Sequence, residues 1–187
     1  MDKATQDWAW CVGEAELGAA LPRRWAHSQG VAARAEEVGR FLGKEATLLA
    51  AAAILHDVGY APRLAITGFH PLDGARFLRD EHGADKRLTR LVANHSFALL
   101  EAEERGLREE LATEFPLLDD PLLVDALVYC DMTTTPDGDR TTARERVAEI
   151  VDRYGADSVV GRFIRRAASE IFSSVERIEA ALASQPR

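Results

Sequence analysis

The stretch from Glu45 to Tyr60 reads EATLLAAAAILHDVGY and decides the fold. Its body is Ala and Leu, strong helix formers, with neither Gly nor Pro to interrupt them. The composition predicts a helix from about Glu45 to Asp57 that buries Leu48, Leu49, Ala52, Ala53 and Leu55. Gly59 stands where the C-terminus of a helix often needs a left-handed residue. So apolar a helix belongs inside a bundle, and this one ends on an adjacent imidazole and carboxylate, His56 and Asp57.

Working outward, apolar residues recur three or four apart almost everywhere, and period-two alternation is scarce, so the expected fold class is all-α. A first helix is expected over much of Asp7 to Leu17. A second runs from about Arg24 to Leu42, with His27, Val31, Ala35, Val38 and Leu42 on one stripe and Gly43 as its stop. The segment Gly59 to Phe69 reads as a loop. A fourth helix begins near Pro71 and ends before Gly83, and a fifth covers about Asp85 to His95. Glu101 to Glu110 reads as a solvated helix or two short ones. Another starts at Asp119-Asp120-Pro121, where acids meet the positive end of the helix dipole, and runs to Asp131. Pro136-Asp137-Gly138 is a turn signal. Thr142 and Glu145 form a capping box for the next helix, and a last long helix occupies about Asp157 to Ala183.

The chain has 187 residues, a size that suits one domain, with a core expected over about 23–154 and a helical extension over about 157–184. The formal net charge of −8 argues against duplex nucleic acid as a partner. It leaves a small phosphate-bearing molecule open, because a bound cation can reverse the local field. Cys11 and Cys130 form no CxxC and no zinc-ligand spacing, and two ordinary thiols are expected. The longest apolar run, Leu48 to Leu55, is too short to cross a bilayer, and the N-terminus lacks the pattern of a signal peptide. The expectation is a cytoplasmic protein with no membrane partner. The apolar stripe of the last helix packs internally or forms a homodimer face, with internal packing the favoured expectation.

The chemistry gathers around the histidines. His27 lies on the apolar stripe of its helix. His56 and Asp57 end a buried one, His70 opens a helix, and His95 ends another. Asp131 follows the apolar run LLVDALVYC, so a buried helix delivers its carboxylate. Imidazoles and carboxylates bind Fe, Mn, Zn, Co or Mg without a thiolate. Taken singly, each histidine reads more readily as a hydrogen-bonded core residue. His82, among charges in RDEHG, reads as a solvated histidine outside the site.

The order His27, then ILHDVGY at 54–60, then YCDMTT at 129–134, resembles the signature of the HD superfamily of metal-dependent phosphohydrolases. The resemblance implies a helical bundle with metal at its centre, held by His27, His56, Asp57 and Asp131. His70 and His95 fall between the doublet and the final aspartate, a pattern similar to two-ion members. It implies that Asp57 bridges to a second ion completed by His70 and His95, so the cofactor is one or two divalent ions. Asp57, His70 and His95 are the expected catalytic residues. Many members have Lys soon after the doublet, whereas this chain has Val58-Gly59-Tyr60-Ala61-Pro62-Arg63.

The activity implied is hydrolysis of a nucleotide or other small phosphate mono- or diester by attack of metal-bound hydroxide. Phosphate needs cationic or N–H donors as well. The expected substrate contacts are Arg24, Tyr60, Arg63, Lys86, Asn94, Thr133 and Arg140, with Arg23 a further candidate cation. Two rival readings share the helical bundle. One is an HD-type diiron oxygenase, which would consume O₂. The other is a non-catalytic nucleotide sensor.

Overall fold

The computed structural model describes residues 3–184. Among them are ten α-helices and no strand, so the chain is all-α. α3 (Ala46–Leu55) is the axle: Leu48, Leu49 and every residue from Ala51 to Leu55 are buried. Its alanines have little side-chain bulk, so α1 (Lys3–Gly13), α2 (Pro22–Leu42), α5 (Lys86–Asn94) and α8 (Pro121–Met132) all close in on it. Interior packing at crystal-like density is what brings side chains from such separate helices to one point.

The first helix covers the expected residues, with an earlier start and a change of helix type. It spans Lys3–Gly13 and continues as a π-helical turn, Glu14–Gly18. Gly43 does stop α2, with φ of 56°. Gly59 behaves differently from the sequence expectation, because its φ is not positive. A Cβ placed there would lie 2.1 Å from the carbonyl oxygen of His70 and 2.5 Å from the nitrogen of Gly74. The glycine therefore serves close packing of the 3₁₀ turn Val58–Tyr60 against α4 (His70–Asp80). Asp73 in α4 also accepts from the Thr67 main chain at 3.1 Å, which ties the loop before α4 to that helix.

Past α4, Asp85 caps α5 by accepting from Arg87 N at 2.7 Å. The charged run resolves into two short helices, α6 (Ala98–Arg105) and α7 (Arg108–Glu114). Asp120 caps α8 by accepting from Leu123 N, so its role is a hydrogen bond as well as a charge at the helix end. The turn at Pro136-Asp137-Gly138 lies inside a loop closed by an isolated bridge between Thr134 and Arg140. This loop leans on α2: a Cβ at Gly30 would fall 2.3 Å from the Gly138 carbonyl oxygen.

The capping box of Thr142 and Glu145 opens α9 (Ala143–Tyr154). α10 (Val159–Ala183) buries Phe163, Ile164, Ala167, Ile171, Val175 and Ile178 against α6, α8 and α9, so its stripe packs internally. No described helix is long and apolar enough to cross a membrane. Cys11 and Cys130 are both free thiols.

Candidate metal centre

The imidazole rings are aimed by main-chain carbonyls. His56 Nδ1 lies 2.8 Å from the oxygen of Ala53, and His95 Nδ1 lies 2.7 Å from that of Val92. His27 Nδ1 reaches across to the Thr135 oxygen at 2.9 Å. A carbonyl can only accept, so each Nδ1 carries the proton and each Nε2 presents a lone pair. Those three Nε2 atoms, with that of His70, converge on Asp57.

The two oxygens of Asp57 divide the rings between them. Oδ2 lies 3.5 Å from His56 Nε2 and 3.9 Å from His27 Nε2. Oδ1 lies 3.2 Å from His70 Nε2 and 3.9 Å from His95 Nε2. The result is two groups of potential ligands sharing one carboxylate: His27, His56 and Asp57, then Asp57, His70 and His95. Asp131 adjoins the first group, with Oδ1 3.2 Å from His27 Nε2 and 3.9 Å from His56 Nε2. Its other oxygen accepts from the Ser96 hydroxyl.

The donor set fits a cation on its own chemistry. His56 Nε2 is buried and has no hydrogen-bond partner among the described residues. His70 Nε2 and His95 Nε2 face one another at 3.2 Å. Buried acceptors left without a donor are costly. An ion held there would satisfy His56 Nε2. The electrostatics agree: burial pushes the His56 imidazole down to about 4 and that of His70 to about 3, so both rings are neutral, as ligands must be. Burial opposes charge on Asp57 too, yet His56 and the Arg24 guanidinium hold its carboxyl well below the usual range. Asp131 is likewise held low, against burial, by the His27 imidazole 3.2 Å away.

Arg24 donates to Asp57 Oδ2 at 2.7 Å and lies over the Tyr60 ring, its Cζ 3.9 Å from the centroid. Tyr60 in turn stacks on His70 at 3.9 Å between centroids. Both line a cavity of about 80 Å³ over the ligands, together with Glu101, Arg146, Arg153 and Tyr154. Met132, Ile150, Val160, Phe163 and Ile164 give this cavity an apolar wall.

Other residues expected at the substrate are placed elsewhere. Arg63 is exposed and bound to Glu16 and Glu81, and Arg140 is exposed and bound to Glu37. Lys86 is exposed at the start of α5. Asn94 donates to the carbonyls of Arg90 and Phe115, and the Thr133 hydroxyl donates to that of Tyr129 at 2.7 Å. None of these five lines the cavity over the ligands. His82 packs edge-on against Trp8 and Phe77, away from the centre.

Sequence reasoning missed Ser96, Glu101, Arg146 and Arg153. Arg146 stands out, being 6% exposed with an Nε that has no partner among the described residues, while its Nη1 donates to Glu149. The capping box located the start of its helix but not the direction in which it points.

The sequence model of the HD domain family matches residues 24–157, and this chain belongs to that family. No curated protein and no solved structure gave a significant match. The family includes metal-dependent phosphohydrolases, and the buried His/Asp groups fit a divalent metal site.

Proposed function

We propose that this chain is a metal-dependent phosphohydrolase that cleaves a small phosphate mono- or diester with the help of two divalent ions. The observation that carries the reading is Asp57, whose two oxygens face separate pairs of imidazole nitrogens in a cavity that also holds Arg24 and Arg146. His27, His56, Asp57 and Asp131 would hold one ion, and Asp57, His70 and His95 the other. When bound, such ions supply Lewis acidity toward a phosphoryl oxygen and lower the pKa of water to near 7.

The chain's own residues supply the rest. Arg24 and Arg146 offer cationic N–H donors to phosphoryl oxygens, which gain charge during cleavage. Arg146 reaches the cavity already desolvated, so its interaction with an anion is weakly screened. Tyr60 fixes both Arg24 and His70 by stacking. Ser96 holds Asp131 in orientation. The wall of Ile150, Val160, Phe163 and Ile164 keeps bulk water from that side of the reacting group. These cations suit a substrate that carries a phosphoryl group.

Two assays on one preparation test the proposal. Elemental analysis should find two ions per chain, and a panel of phosphate mono- and diesters should contain at least one compound turned over in a metal-dependent way. Oxygen uptake in step with turnover would move the chain to the oxygenases. Metal bound without any turnover would leave a sensor.

A further inference from the structure

Beside the central cavity lies an outer cleft of about 320 Å³, lined by Ala20, Leu21, Pro22, Arg23, Arg24, His27, Pro136 and Arg153. Arg24, His27 and Arg153 line both spaces, so the two adjoin. The central cavity, about 80 Å³, is far below the ~300–1,000 Å³ that encloses a drug-sized ligand whole. It has room for a reacting phosphoryl group and little more. The remainder of any larger ester must lie outside it, and the outer cleft is where the shared residues lead.

The charge of that cleft is one-sided. It is lined by three arginines and by no carboxylate, in a chain whose formal net charge is −8. The first turn of α2 also borders it, and Leu21 provides no side-chain cap there. An uncapped helix N-terminus adds to the attraction for an anion. Each arginine is paired, Arg23 with Asp137, Arg24 with Asp57 and Arg153 with Glu149, but none of these carboxylates lines the cleft. Exposed pairs such as Arg23 with Asp137 are worth little, so exchanging one for a ligand costs little. The guanidiniums reach the cleft from α2 and α9, so they can meet different oxygens of one phosphoryl group.

We propose that the outer cleft binds a second phosphoryl group of the substrate, so that this chain acts on esters with a further phosphate beyond the one cleaved. The assignment rests on the hydrolase reading for the identity of the reacting group. The cleft's affinity for phosphate stands apart from it and can be measured without turnover.

The test uses metal-free wild-type protein, so that the probe cannot chelate an ion, with pyrophosphate as titrant in a calorimeter. Pyrophosphate binds the wild type. Arg23→Gln and Arg153→Gln each weaken it about ten-fold, as expected for loss of a charge-assisted hydrogen bond. Arg140→Gln, which removes an equal charge away from the cleft, leaves it unchanged. Thermal melts confirm that each variant is folded, and Arg153→Lys retains part of the affinity. The proposal is overturned if wild type does not bind pyrophosphate, if Arg140→Gln weakens binding as much as the cleft variants, or if malonate binds equally well. Failure of the hydrolase reading looks different: pyrophosphate still binds, while metal-loaded protein turns over no phosphate ester.

Discussion

Arg24 and Asp57 are joined through Nη1 and Oδ2 at 2.7 Å, and Oδ2 is also the oxygen that faces His27 and His56. A cation of the protein thus sits against the carboxylate shared by both ligand groups. Arg24→Gln should leave metal content at its wild-type value, since every ligand remains. It should lower kcat/KM for a phosphate ester by roughly ten- to a hundred-fold, the effect of losing ~1.5–3 kcal/mol of charge-assisted bonding. Elemental analysis beside steady-state kinetics separates the cases. If metal is lost with activity, Arg24 orients Asp57 and does not act on substrate.

The ligand assignment makes a graded prediction. Asp57→Ala should lose both ions and all activity, because both groups share that carboxylate. His70→Ala or His95→Ala should reduce two ions per chain to one. His82→Ala should change neither metal content nor activity. Loss of metal on changing His82 would refute the assignment.

Acid should weaken the metal-free protein before its carboxylates begin to titrate. His56 and His70 are pushed down to about 4 and about 3 in the folded chain, against 6.5 ordinarily. Below pH 6.5 the unfolded chain takes up protons that these folded rings refuse, so stability falls as pH drops toward 4 and then 3. It is fully present above 6.5. The slope approaches ~1.4 kcal/mol per pH unit for each ring. Urea unfolding in chelator at pH 7.5, 6 and 5 measures it, and equal stability at all three would contradict the buried neutral assignment.

Gly59→Ala places a Cβ 2.1 Å from the His70 carbonyl oxygen, and main chain must move to make room. Overpacking of this kind costs about 1–3 kcal/mol. The melting temperature should fall by several degrees, at ~2–4 °C per kcal/mol for a chain of this size. Because the displaced residue is His70, occupancy of its ion should suffer more than that of its neighbour. Uniform loss of both ions would show that the strain is spread through the bundle.

Much of this was legible in the sequence, and the reasons differ by residue. α3 and its terminal His56-Asp57 were readable because composition and position agree. The Thr142–Glu145 box was readable because capping is local. Ser96 was hidden: it and Phe97 adopt φ of 48° and 64° between α5 and α6, although neither is a residue type that favours the left-handed region. That kink puts the Ser96 hydroxyl on Asp131. Arg63, Lys86 and Arg140 could not be told from Arg24 or Arg146 by type. Whether an arginine faces a cavity or a nearby glutamate depends on how helices dock, and charge runs look alike in both cases.

The carbonyls that aim the rings differ in how far along the chain they lie. His56 and His95 each use an acceptor three residues upstream, in or beside their own helix, so one turn of backbone sets their direction. His27 depends on Thr135, 108 positions away, in the loop that Gly30 and Gly138 allow to rest on α2. During folding, then, two rings are oriented as soon as their helices form, and the third only once the ends of a long chain segment have met. Under the proposed ligand assignment, capture of an ion at His27 would be a late event, and tight binding there would report that the loop has docked.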